Sequence, residues 1–125
     1  MRRTMLYLPG NNPNMLTRGY LFGSDGLILD LEDAVAMAEK DTARILVQHF
    51  LRQGEFGSCE VTVRINGVDT EYWKDDLAAV VPFPVLQGVR APKVDDANTV
   101  RMIDEELSII EDKNGIPVGR TKIFC

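Results

Sequence analysis

The 125 residues are 45% hydrophobic, enough for one domain with a buried core and too apolar for a disordered tail. Asp and Glu outnumber Lys and Arg by 19 to 14, a formal charge of -5, so there is no basic field to hold a phosphate backbone and nucleic acid is not an expected partner. No run approaches the roughly 18 apolar residues of a membrane span, and the stretch after Met1-Arg2-Arg3 is cut by Pro9-Gly10 short of a signal peptide's roughly 7–15, so no membrane association and a cytoplasmic location are expected.

Thr4 to Leu8 reads as a first strand stopped by Pro9-Gly10, and Asn12-Pro13 as an N-cap with proline at the first helical position, opening a short helix to about Phe22. Gly23 to Gly26 is turn chemistry before a second strand, Leu27 to Leu31. Its apolar run is continuous rather than alternating, the mark of a strand covered on both faces in a parallel sheet. Asp41 is placed to cap a helix with Ile45, Leu46 and Phe50 on its apolar face, ending near Gly54. A third strand, Val61 to Ile65, precedes a helix from about Glu71 to Val81 that Pro82 and Pro84 stop. Gly88 to Pro92 is a fourth strand. Asp95 or Asp96 then caps a helix with Val100, Ile103, Leu107 and Ile110 at helical spacing, closed by Asn114-Gly115. Thr121 to Cys125 begins a fifth strand. Strand and helix alternate throughout, so the class is α/β with right-handed crossovers. Two architectures fit: an open doubly wound sheet, or part of a barrel.

Both bind ligands at the carboxyl ends of the strands, where loops can carry polar groups. The polar residues fall at those ends: Pro9 to Asn12, then Asp30, Glu32 and Asp33, then Arg64 and Asn66, then Lys93. Arg64 is flanked by Val63 and Ile65, and a buried guanidinium needs an anion for its planar fork of donors. Asp30 or Glu32 could be that anion. Arg64 is then either half of an internal salt bridge, or a grip for a substrate carboxylate while a surplus acid works as ligand or proton acceptor. Lys93 is either a substrate cation or a solvated loop residue. His49 and Trp73 read as structural, and Cys59 and Cys125 as reduced thiols. Neither GxGxxG nor GxxxxGK[ST] occurs.

The segments RRTMLYLPGNNPNML, DGLILDLEDAVAMAEKDTAR, VTVRING and GVRAPKV, in this order, resemble the citrate lyase beta subunits, the citryl-thioester lyases of the HpcH/HpaI aldolase superfamily. The resemblance covers the whole chain but about half of the family's (β/α)₈ TIM barrel, which needs roughly 250 residues. Residues 1–125 are therefore expected to form the N-terminal part of a single TIM-barrel domain, with about five strands and no second domain. The resemblance implies retro-Claisen cleavage of citryl-ACP or citryl-CoA to oxaloacetate and an acetyl thioester, with magnesium, an acyl carrier protein, alpha and gamma subunits and homo-oligomers. Related alternatives are a malyl-CoA or methylmalyl-CoA lyase, or a non-catalytic half-barrel that serves binding or assembly.

The resemblance sets Asp30, Glu32 and Asp33 at the catalytic mouth, their individual roles unassigned, and Arg64 on the arginine that grips the oxaloacetate carboxylate. Lys93 remains, on its residue type alone, either a substrate cation or a solvated loop residue. The YLPGN turn and the arginines at the chain start fall where relatives approach the thioester carrier. The metal-binding Glu and Asp of the family would follow the fifth and sixth strands, beyond Cys125. No metal ligand is expected among these residues, and alone they are expected to lack turnover.

Overall fold

The computed structural model describes residues 1–125. Five strands, β1 Met5–Pro9, β2 Gly26–Asp30, β3 Glu60–Arg64, β4 Gly88–Arg90 and β5 Lys122–Phe124, form one sheet in which every pair is parallel and the order is β1-β2-β3-β4-β5. Between them run α1 Pro13–Arg18, α2 Lys40–Gln53, α3 Trp73–Val80 and α4 Ala97–Lys113, with 3₁₀ turns at Gly19–Phe22 and Met37–Glu39. Strand order decides between the two architectures. A doubly wound sheet reverses direction at a switch point, whereas consecutive strands in chain order form the wall of a β/α barrel.

The pleat sorts the strand residues. Leu8, Leu29, Val63 and Val89 share one rung of the ladder and pack against Val47, Leu77 and Ile103 of the helices in a single apolar core. Side chains of opposite parity, Tyr7, Ile28, Thr62 and their neighbours, stand on the other face. The last rung on that face runs Pro9, Asp30, Arg64, Arg90, Phe124. Register alone therefore sets Asp30 beside Arg64 at the carboxyl rim.

Asn12 caps α1, its side chain accepting from the Met15 N–H at 3.1 Å, and Asp96 caps α4 through the Thr99 N–H at 2.9 Å. Asp41 does not cap α2. The helix starts at Lys40 with Glu39 at the cap position, and Asp41, already in the first turn, pairs with Arg44 at 3.0 Å. The buried stripe of α2 also differs from expectation. It is Ala43, Val47 and Leu51, while Ile45 is 65% exposed. Ala43 and Val47 allow closer approach to the sheet than Ile or Phe would, and the expected Leu46 and Phe50 pack half-buried against the edge of the same core. Gly10 shows how close: a Cβ there would lie 2.6 Å from the Asp30 carbonyl and 3.0 Å from Val47 Cγ2.

After α4, Gly115 takes φ 68° and the chain turns back. Buried Glu111 holds that turn, accepting from Gly119 N–H at 2.7 Å and Thr121 N–H at 2.8 Å, so β5 enters the sheet in register.

Candidate active site

Asp30, 1% exposed, ends β2, and both of its oxygens are occupied. Arg64 donates through Nε at 2.9 Å to Oδ1 and through Nη2 at 2.6 Å to Oδ2, while the Glu32 and Ala34 N–H groups close on the same oxygens at 2.9 and 3.1 Å. Burial alone would raise the Asp30 pKa, but the Arg64 fork and the two amides together hold it below the ordinary carboxylate value. The Arg64 pKa is raised, chiefly by that bond. Its plane lies over the Tyr7 ring, 4.8 Å from guanidinium carbon to centroid. Asp30 is thus the anion that the sequence left open between two acids.

Glu32 is buried and Asp33 exposed. Burial raises the Glu32 pKa and a hydrogen bond to Asp33 adds to it, while the same bond lowers that of Asp33. Both carboxyl groups also feel the Arg64 and Lys93 charges, which favour their ionised forms. They line a cavity of about 310 Å³ with Lys40, Asn66, Tyr72 and Lys93. All five residues expected at the mouth, Asp30, Glu32, Asp33, Arg64 and Lys93, therefore lie on one rim. Lys93 is the one non-glycine residue at positive φ, 53°.

Four supporting residues carried no sequence signal for their roles. Lys40 is buried and donates from Nζ to the Leu31 and Glu32 carbonyls at 3.0 and 2.6 Å, anchoring the loop that carries the acids. Asp76 of α3 is buried, accepting at Oδ2 from the Asn66 backbone N–H and Nδ2 at 2.9 and 2.7 Å and at Oδ1 from Arg44 Nε at 2.9 Å. Arg44 and Asp76 come from two helices and meet behind the rim; Asn66 was visible only as a polar residue following Arg64.

Arg2 and Arg3 do not reach this rim. Arg2 pairs with Glu60 and Arg3 with Asp25 at the amino ends of the strands, and a five-residue strand sets roughly 16 Å between the two ends. The Pro9-Gly10 turn that follows β1 does lie at the rim, bonded from Gly10 N–H to the Asp30 carbonyl at 2.8 Å. His49 is exposed on α2, Trp73 is buried in the core, and both cysteines are free. No three His, Cys, Asp or Glu side chains gather in one place, and both Asp30 oxygens are already taken by Arg64 and two backbone amides. No helix is long and apolar enough to cross a membrane.

A family model described as HpcH/HpaI aldolase/citrate lyase matches residues 3–125. The chain belongs to this family. Within the HpcH/HpaI aldolase/citrate lyase family, the citrate lyase subunit beta of Leuconostoc mesenteroides subsp. cremoris is 44% identical over all 125 residues, which span 41% of that relative. A (3S)-malyl-CoA thioesterase of Cereibacter sphaeroides is 38% identical over 81% of this chain and 35% of its own length. The chain thus spans well under half the length of these curated relatives. Among solved structures, CitE of Mycobacterium tuberculosis in complex with magnesium, acetoacetate and coenzyme A superimposes with a TM-score of 0.66 at 28% identity, over 85% of this chain and 38% of that one.

Proposed function

We propose that these residues supply the acid-gripping part of a citryl-thioester lyase, which cleaves citryl-ACP or citryl-CoA to oxaloacetate and an acetyl thioester. The observation that carries this reading is the side-on Asp30–Arg64 pair. Asp30 engages one edge of the guanidinium. Of five N–H donors, both on Nη1 and one on Nη2 stay unused, a second edge shaped for another carboxylate. Asp30 positions the grip and takes no proton, because its oxygens are filled and its pKa is lowered. The Glu32–Asp33 pair is the proton acceptor. It takes the hydroxyl proton as the carbon–carbon bond breaks; the bond electrons form the thioester enolate, which is protonated at carbon to give the acetyl group.

The family membership and the CitE complex with magnesium support a magnesium-dependent enzyme. In this reading the ion's carboxylate ligands come from outside the residues described. An acyl carrier protein, alpha and gamma subunits, a homo-oligomeric barrel and a cytoplasmic setting belong to the same proposal. In a complete barrel assayed with magnesium, citryl-CoA is expected to release oxaloacetate, read by its reduction with malate dehydrogenase. The Cereibacter relative favours a second reading, a malyl-thioester enzyme. A higher kcat/KM for malyl-CoA than for citryl-CoA would select it.

Lys93 offers a separate test of the site. Left-handed backbone costs a non-glycine residue roughly 1 kcal/mol, which glycine would not incur. Lys93→Gly is therefore expected to stabilise the protein by about 1 kcal/mol in urea unfolding while weakening oxaloacetate binding several-fold. Unchanged affinity would return Lys93 to the role of a solvated loop residue.

A further inference from the structure

The cavity walled by Glu32, Asp33 and Lys93 also has in its wall an amide whose orientation is fixed and whose charge does not change with pH. Asn66, 3% exposed, follows β3 by two positions and lines this space with Glu32, Asp33 and Lys93. Its backbone N–H and its Nδ2 both donate to the same oxygen, Asp76 Oδ2, at 2.9 and 2.7 Å. A carboxylate can only accept, so the amide nitrogen must face Asp76, and the amide cannot turn over without setting two oxygens against each other. Oδ1 is left with no bond inside the protein, and it is not among the sealed polar atoms that lack a partner. Arg44, donating from Nε to the other Asp76 oxygen at 2.9 Å, holds that carboxylate in place.

Resting on the lyase reading above, we infer that Asn66 Oδ1 accepts the substrate's hydroxyl hydrogen on binding, before that hydrogen rotates to the Glu32–Asp33 pair for cleavage, with Asp76 as the positioning residue that aims the amide. A locked amide oxygen accepts from an O–H and has nothing to offer a ketone, whose oxygen is itself an acceptor. Arg64 grips the carboxylate that hydroxy acid and keto acid have in common, whereas Asn66 tells the two apart. The site then holds the hydroxy-acyl substrate more tightly than the keto acid that cleavage produces, which favours product departure.

Malate and oxaloacetate test this because they have the same carbon skeleton and charge and differ at the oxygen in question. In calorimetric titrations, Asn66→Ala is expected to bind malate about tenfold more weakly than the unaltered protein while its oxaloacetate affinity stays within about twofold. In that variant Asp76 keeps the residue-66 backbone N–H and Arg44, so the fold has its support. Asp76→Asn is expected to lower the malate-to-oxaloacetate affinity ratio in the same direction, because an amide at position 76 cannot satisfy Asn66 and Arg44 together. A purely structural loss would move both affinities equally. Equal weakening for the two acids in Asn66→Ala, or none for either, overturns the inference and leaves the Arg64 grip standing. An unaltered protein that binds neither acid overturns the lyase reading, and this inference with it.

Discussion

Arg64→Ala is expected to weaken oxaloacetate binding by more than about 100-fold, since it removes both donors of a bidentate, charge-assisted contact. It is also expected to destabilise the protein by about 3 kcal/mol at neutral pH, the low end for breaking a buried pair, because Asp30 keeps the Glu32 and Ala34 N–H groups. The pH dependence separates the two effects. In the unaltered protein Asp30 has a lowered folded pKa, so its contribution is present above the unfolded value of about 3.9 and fades as pH falls through the folded one. Without Arg64, burial is opposed only by the two amides, so the folded pKa moves up from its value in the unaltered protein. The deficit is then absent at low pH and sets in as pH rises through that window. Urea unfolding at pH 7.5 and pH 4 is therefore expected to show a smaller difference between the two proteins at pH 4; an equal difference would show that buried charge is not the cause. Arg64→Lys restores the charge without the planar fork, and is expected to recover part of the stability and little of the binding.

Glu111→Ala is expected to cost about 2–4 kcal/mol, although Glu111 lies far along the chain from the rim. Its carboxylate is the acceptor for the backbone N–H groups of Gly119 and Thr121, and the buried Thr121 N–H has no other partner when it is gone. Thr121 leads directly into β5, whose pairing with β4 includes Lys122 N–H to Gln87 at 3.1 Å and Ala91 N–H to Phe124 at 2.8 Å. Hydrogen exchange of the Ala91 and Lys122 amides is expected to accelerate well before exchange in β2 and β3. Glu111→Gln keeps one acceptor oxygen and is expected to lose roughly half as much. If β5 exchanges no faster than β2 in Glu111→Ala, the carboxylate is not what seats the strand.

The elements were legible because each signal was local. Asn12-Pro13, the apolar run before Asp30, and the 100, 103, 107, 110 spacing before Asn114-Gly115 each answer to geometry within a few residues. The buried face of α2 was not legible, since Ile45 and Phe50 satisfy helical spacing as well as Ala43, Val47 and Leu51, and only the closeness of the sheet favours the smaller set. At the site, residue chemistry demanded an anion for Arg64 but could not choose between Asp30 and Glu32. That choice is made by strand register, which pairs position 30 with 64, and by the loop folding back onto the Asp30 oxygens. Lys40, Arg44 and Asp76 were invisible because their partners lie on other elements, and a lone Lys or Asp on a helix ordinarily means solvent.

The strand order has a consequence for how the molecule is made. Met5 pairs with Gly26, Gly26 with Glu60, Thr62 with Gly88 and Gly88 with Lys122, so each strand docks on the one synthesised just before it and none waits for a distant segment. The sheet can lengthen one unit at a time as the chain leaves the ribosome. Within this sheet no strand pairs with the outer side of β1, and the missing N–H of Pro9 shortens the row of donors that edge offers to other chains.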